Sequence, residues 1–408
     1  MPARVVKTLE PVNVMHVVRP AEGGIRVHVR CLLQYTDHDR FNLMVACPDM
    51  PGMVEDFRLP GIRFFPVNLR GEFRPRMDWL CAKTLQRLMV EQQVQVVHAH
   101  GAKAGLIGWL AARWAGVPLV VVTAHNFIAD SAVPVWQKTI YNKVNRYLAK
   151  HTDQLIAVSQ ALARHMVEVE RVAADRVTAI PNGVDLTRFL GMVDCGKKRK
   201  ELGLDPQFPI VGVVARLIPQ KGVELFLRAA VLIREKIPFA QFLIVGDGPQ
   251  RRMLEHLARD LGIERFTVFA GWRDDVPCLL PVINVLVIPS TSEGFSITAL
   301  EAMAARRPVV AFAVGGLTEV VVHGETGLLV PAGNYRLLAG AVLEMLAYPL
   351  RAERMGRRAR QAVEERFEVR SAVGRTQELY VELLRRKGLF PAFSHGRYTS
   401  DIDAKTDG

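Results

Sequence analysis

Short apolar runs rich in Val and Ile alternate with longer amphipathic stretches along the whole chain. The runs Val14–Val18, Leu43–Ala46, Ile62–Pro66, Gln95–Ala99, Leu119–Thr123, Gln154–Val158 and Thr178–Pro181 are continuously hydrophobic, the pattern of strands covered on both faces. The rhythm restarts with Ile210–Ala215, Gln241–Val245, Thr267–Ala270, Val285–Ile288, Val309–Phe312 and Leu328–Val330. Strands alternating with helices predict parallel sheets, and two such series predict an α/β protein of two Rossmann-like units. The turn Pro181-Asn182-Gly183-Val184-Asp185 and the polar stretch Cys195–Pro209 mark the boundary between them. In that stretch the run Lys197, Lys198, Arg199, Lys200 reads as a solvated helix face.

Two further helical stretches follow Tyr348. The second, Ser371–Arg386, places Val373, Leu379, Tyr380, Leu383 and Leu384 on one side at helical spacing, so it needs a surface to cover it. The expected division is 1–190, 191–370, the helix 371–386, and a polar, aperiodic tail, 387–408, expected to be mobile.

Half of the 408 residues are hydrophobic and 23% are charged, which supports a large core and excludes a disordered, collagenous or disulfide-stapled chain. Cys31, Cys47, Cys81, Cys195 and Cys278 are scattered, with no CxxC pair and no Cys/His cluster at zinc spacing. A reducing compartment and no structural metal are expected. The N-terminal residues lack a long apolar core and a small-residue cleavage site, so no secretory signal is expected. Gly105–Ala124 comes nearest to a membrane span, but Arg113, Gly116 and Pro118 interrupt it, and it reads as helix, turn, strand. The formal charge is +12. Residues 1–190 hold about 23 basic and 16 acidic groups, a net of roughly +7, leaving about +5 for the rest, so neither half is a basic tail. No nucleic-acid-binding motif accompanies the charge, and no nucleic acid is expected as a partner.

Open α/β sheets bind ligands outside the carboxyl ends of their strands, which directs attention to the residues just past each run. Gly23 and Gly24 follow the first and open a helix, serving either a tight turn or the approach of backbone N–H groups to phosphate. The spacing is not GxGxxG, against a nicotinamide cofactor. Arg216 and Lys221 follow Ile210–Ala215; a diphosphate clamp and a pair of surface cations fit them equally. Gly246-Asp247-Gly248-Pro249 is another glycine-rich strand-to-helix turn.

The segment Pro289–Met303 is densest in chemistry, with Glu293, Gly294, Phe295, Ser296 and Glu301, and a helix predicted to start near Ser296. Eight helical positions between Glu293 and Glu301 span about 12 Å, too far for a glycosidase pair, so the two carboxylates are expected to touch different parts of one long ligand. His100 and His125 follow strands and point toward the same edge, where an imidazole handles protons near neutral pH.

In order and spacing these pieces resemble the retaining glycosyltransferases of family 4, which have the GT-B fold. The resemblance runs from Gly23-Gly24 through Val97-His98-Ala99-His100, the turn at 181–185, Arg216 to Lys221-Gly222, Val245 to Pro249, Glu293 to Glu301, Pro308 to Ala311, Gly315-Gly316 with Glu319, and Gly324 to Val330. It implies an acceptor-binding N-terminal unit, a donor-binding C-terminal unit and a last helix crossing back onto the first. It implies that Arg216 and Lys221 hold the diphosphate of a nucleotide-sugar without a divalent metal or other cofactor, and that Glu293 and Glu301 contact the donor sugar and ribose. His125 is then at the reacting centre, with Gly23, Gly24, Gly246, Gly294, Phe295 and Ser296 around the donor. A UDP-sugar is the expected donor and a sugar or lipid-linked cell-envelope glycan the expected acceptor. A nucleotide-sugar 2-epimerase shares the architecture and is the alternative.

Two residues depart from the pattern: Arg306 stands where Gly is usual, which would strain a left-handed helix end by about 1 kcal/mol, and Asn334 stands where Asp is usual. Finally, Arg63, Arg70, Arg74, Arg76, Lys83 and Arg87 are interleaved with Phe64, Phe65, Phe73 and Trp79. Such a mixture reads either as a face for anionic lipid or as an ordinary surface over the core. The first reading makes this a cytoplasmic enzyme peripheral on the inner face of the membrane.

Overall fold

The computed structural model describes residues 11–21, 23–72, 74–127 and 135–389, so Phe73 and most of the expected tail lie outside the described residues. One parallel sheet contains β1 (Val12–Val18), β2 (Phe41–Cys47), β3 (Arg63–Pro66), β4 (Val96–His100), β5 (Leu119–Ala124), β6 (Gln154–Ala157) and β7 (Val177–Ala179), in the order β3-β2-β1-β4-β5-β6-β7. The second contains β8 (Ile210–Val214), β9 (Gln241–Val245), β10 (Thr267–Gly271), β11 (Val285–Ile288), β12 (Val309–Phe312) and β13 (Gly327–Val330), in the order β10-β9-β8-β11-β12-β13. Every strand expected from the hydrophobic pattern is present, its ends displaced by two residues at most.

Strand order reverses between β1 and β4 and again between β8 and β11, and such switch points are where doubly wound sheets open a crevice. The register at the first is specific: Val18 pairs with His100, His16 with His98, and His100 with Thr123. Polar side chains on β1, β4 and β5 therefore stand side by side at one sheet edge.

The chain passes between the units through the turn at 181–185. Gly183 lies against the returning chain so closely that a Cβ there would be 2.5 Å from the Val369 Cα. Val184 exchanges backbone bonds with Phe367 and Val369, at 2.9 and 3.2 Å. The helix Val369–Arg386 then crosses to the first sheet, where Leu379, Tyr380, Val381, Leu383 and Leu384 join the core built on β1 and β2. A second clasp between the units comes from Glu319, after β12: its carboxylate accepts from the Gln160 and Ala161 amides, at 3.0 and 2.5 Å, at the start of helix Gln160–Glu168. The carboxylate satisfies amides that a helix N-terminus leaves without partners.

The basic run at 197–200 departs from expectation. It lies on helix Cys195–Glu201, and only Lys197 and Lys200 are exposed. Lys198 meets Asp275 at 3.1 Å and Arg199 donates to the Val282 carbonyl at 2.9 Å, so half of the run fastens the boundary helix to the second unit. Residues 105–124 form helix end, turn and strand, and among the described residues no helix is long and apolar enough to cross a membrane.

Candidate active site

The C-terminal wall is built where the loops after β8, β9, β11 and β12 meet. After β8 the chain makes a 3-10 turn over Pro219–Lys221 and enters helix Val223–Lys236 through Gly222, whose φ of 62° is left-handed. A Cβ at Gly222 would lie 2.0 Å from the Pro289 carbonyl oxygen, so the missing side chain lets the Lys221 turn rest on the loop after β11. The Lys221 Nζ thereby reaches the Glu293 Oε1 at 2.5 Å, and the Ser290 hydroxyl donates to the same oxygen at 2.9 Å. Glu293 is buried, so the lysine and the serine compensate a carboxylate that burial alone would penalise.

Ser296 begins helix Ile297–Ala304 as expected, its Oγ accepting from the Ala299 amide at 3.3 Å. Two turns in, Glu301 is 8% exposed, with the Arg188 Nη1 3.5 Å from its Oε1. Burial pushes the Glu301 carboxyl up to about 7, against the opposing pull of Arg188. Arg188 lies in the linker turn Leu186–Phe189, which places a cation from between the units beside this carboxylate.

Across the crevice stand the residues after β1 and β5. A Cβ on Gly23 would be 3.9 Å from the Arg216 Cδ, and one on Gly24 would be 3.7 Å from the Ile297 Cδ1. Gly294 abuts the other strand end, where an added Cβ would be 2.0 Å from the His125 carbonyl oxygen. The structure therefore brings Gly23, Gly24, Arg216, Lys221, Glu293, Gly294, Glu301 and His125 to one crevice.

Gly246 has another duty than the expected donor contact, and Phe295 and Ser296 use their side chains for packing and capping. The Gly246 amide donates to the Gly271 carbonyl at 2.8 Å, and an added Cβ would meet the Ala215 carbonyl oxygen at 1.9 Å, so this glycine packs the turn beneath Arg216 instead of presenting its amide to phosphate. The Phe295 ring packs on Phe367, centroids 5.7 Å apart, and the Ser296 Oγ accepts in the helix cap; neither contact engages the backbone amide of its residue.

His125 belongs to a cluster that sequence spacing concealed. Its Nε2 is 3.3 Å from the His100 Nδ1, and the His100 Nε2 is 3.2 Å from the His16 Nδ1. The His98 ring lies against His100, tilted by 35° with centroids 4.3 Å apart, and its two ring nitrogens are bonded to the Tyr380 hydroxyl at 2.5 Å and the Thr123 hydroxyl at 2.6 Å. His28, on helix Gly24–Tyr35, completes the group 5.1 Å from His125. Burial lowers all five: His16 to about 3, His28 to about 4, and His98, His100 and His125 well below the ordinary histidine value. At neutral pH these imidazoles carry no charge. For His16, His98 and His100 the signal in the sequence is a polar residue inside otherwise continuous Val-rich strands, where a buried polar group requires partners; His28, on a helix, and His125, past β5, carry no such signal.

The two halves match known sequence families separately: residues 22–188 match the model described as Glycosyltransferase Family 4, and residues 195–362 the model described as Glycosyl transferases group 1. The Escherichia coli UDP-Gal:alpha-D-GlcNAc-diphosphoundecaprenol alpha-1,3-galactosyltransferase is 28% identical over 93% of this chain and 99% of its own. A GDP-mannose-dependent alpha-(1-6)-phosphatidylinositol monomannoside mannosyltransferase from Mycolicibacterium smegmatis is 30% identical over 73% of this chain and 79% of its own. Among solved structures, Anabaena HepE in complex with UDP and glucose superposes with a TM-score of 0.81 at 22% identity, covering 91% of this chain and 100% of that one. Two parallel Rossmann-like units facing across such a crevice are the GT-B fold of nucleotide-sugar-dependent glycosyltransferases. The chain belongs to the group 1 glycosyltransferases of family 4.

Proposed function

We propose that this enzyme moves a sugar, with retention at the anomeric carbon, from a UDP-sugar to a hydroxyl of a lipid-linked or other cell-envelope glycan, and that it needs no divalent metal to do so. The observation that carries the reading is the pairing of Lys221 with Glu293 at the switch point of the second sheet, with Arg216 on the same loop after β8 and Gly23 against the Arg216 side chain. A diphosphate between these groups meets two cations and the N-terminal amides of helix Ile297–Ala304.

In this mechanism the acceptor oxygen attacks the anomeric carbon on the face from which the nucleoside diphosphate departs. The bond from that carbon to the phosphate oxygen breaks, the bond to the acceptor oxygen forms, and the acceptor proton passes to the departing phosphate oxygen. Lys221 and Arg216 stabilise the charge that develops there, and their fixed positions remove the need to reorganise solvent. Glu293 holds Lys221 in place and accepts from a donor-sugar hydroxyl, Glu301 accepts from the ribose, and the neutral imidazole of His125 orients the reacting sugar. No protein nucleophile is used.

A UDP-sugar is favoured by the names of the Escherichia coli relative and of the Anabaena complex, although the mycobacterial relative is named for GDP-mannose. The lipid-linked acceptor is supported by the first relative's name and by helix Pro75–Glu91, whose Trp79, Leu80 and Val90 are exposed beside Lys83 and Arg87. The test is incubation of purified protein with UDP-, GDP- and ADP-sugars and a diphosphoprenol-linked acceptor, with and without chelator. An α-linked product from an α-linked donor, unaffected by chelator, is expected; an inverted linkage or a metal requirement overturns the reading. Pelleting with anionic vesicles at low salt, lost on substituting Trp79 and Lys83, is the corresponding test of the membrane face.

A further inference from the structure

The Tyr380 and Thr123 hydroxyls occupy both nitrogens of His98, which removes that residue from the list of available ligands. The remaining cluster contains His28, His100 and His125, each offering one ring nitrogen within 4.8 Å of the others. The facing nitrogens of His100 and His125, 3.3 Å apart, need a proton or a cation between them. A zinc–nitrogen distance of about 2.0–2.1 Å puts two ligands of a tetrahedral ion about 3.3–3.4 Å apart, the same separation. The third nitrogen, from half-buried His28 on helix Gly24–Tyr35, lies within 4.8 Å of the other two, so a small side-chain movement brings it onto the ion. The Asn182 side chain faces His28 and favours its protonated form, while the buried His28 Nε2 has no partner at hydrogen-bond distance.

We propose that His28, His100 and His125 form a three-histidine site for a borderline-soft divalent ion such as Zn2+ or Co2+, and that the bound ion inhibits transfer by removing His125 from the reacting centre. His100 frees its Nδ1 by carrying its proton on Nε2, where the His16 Nδ1 accepts it at 3.2 Å. His125 frees its Nε2 by carrying its proton on Nδ1. The three ligands bind as neutral imidazoles, which burial already makes them at neutral pH. No carboxylate belongs to the group, so Mg2+ and Ca2+, which require oxygen ligands, are not its occupants.

The inhibitory half rests on the reading of His125 as a residue of the reacting centre; the binding half does not. Chelator-treated full-length protein is titrated with Co2+ and the visible absorption recorded, with Zn2+ as competitor. One equivalent per chain with the spectrum of a tetrahedral nitrogen site is expected, displaced by Zn2+ and lost in His28→Gln and His100→Gln. His28 is only half-buried, so His28→Gln keeps the test open where His100→Gln melts early. Absence of stoichiometric binding, or equal binding by His28→Gln, overturns the site. In parallel, Zn2+ is expected to suppress transfer reversibly, and at least tenfold less effectively in His28→Gln. Stoichiometric binding without inhibition keeps the site and overturns the assignment of His125 to the reacting centre.

Discussion

The Nζ of Lys221 and the Oε1 of Glu293 are 2.5 Å apart although 72 residues separate them, and this pair joins the loops after β8 and β11 at the centre of the crevice. One ion pair thus serves both structure and charge presentation. Lys221→Ala is expected to lower turnover on the order of a hundredfold or more, because a cation facing developing negative charge is lost. The same change leaves the buried Glu293 carboxylate with Ser290 alone, so Lys221→Ala should also melt earlier. Adding Glu293→Gln should restore the melting temperature without restoring turnover. Steady-state kinetics with thermal melting on the single and double variants separate the two effects, and near wild-type turnover in Lys221→Ala would refute the assignment.

Glu301, which we propose holds the donor ribose, has a pH dependence of known sign. Its folded carboxyl titrates at about 7, above the ordinary glutamate value of 4.5, so the fold is destabilised by its ionisation as pH rises through that window. Ribose hydroxyls bind best to the ionised form. UDP affinity is therefore expected to strengthen between pH 6 and pH 8, and Glu301→Gln should abolish that trend while weakening binding on the order of tenfold. Calorimetric titration across the range, on both proteins, checks it.

Gly294 is a spacing requirement between the two units. A methyl group placed 2.0 Å from the His125 carbonyl oxygen forces backbone apart. Gly294→Ala is expected to reduce kcat/KM by tenfold or more and to cost about 1–3 kcal/mol of stability. Gly340→Ala, inside helix Tyr335–Ala347 with open space around it, is the control and should be neutral or stabilising.

Arg306 has a φ of 58° at the end of helix Ile297–Ala304, where its amide donates to Met303 and that of Arg307 donates to Ala302, at 2.9 and 2.8 Å. This is the hydrogen-bond pattern that favours glycine at the left-handed position. Arg306→Gly is expected to stabilise by about 1 kcal/mol, raising the melting temperature by about 1–2 °C without changing turnover.

The parallel strands were legible because both of their faces are buried, so the chain writes them as unbroken apolar runs; Val285–Ile288 and Val309–Phe312 match residue for residue. The loops of the candidate crevice were legible as segments because they follow strand ends, where such sheets bind ligands. Contacts between distant segments were not. Nothing in the sequence around Glu301 announces that its partner is Arg188, and the alternation His98-Ala99-His100 acquires meaning only when β1 brings His16 into register. Glycines were ambiguous in the same way: Gly24 faces the crevice while Gly246 packs against a neighbouring backbone, and both read as glycine-rich turns. Asn334 does cap its helix, accepting from the Leu337 amide at 3.1 Å, because that interaction is local.

The helix Val369–Arg386 seats Leu379, Tyr380 and Leu383 in the core of the first sheet, and its Tyr380 hydroxyl reaches His98. These residues leave the ribosome only after the whole second unit has been made. The N-terminal half must therefore wait, with part of its apolar surface uncovered, until synthesis is nearly finished.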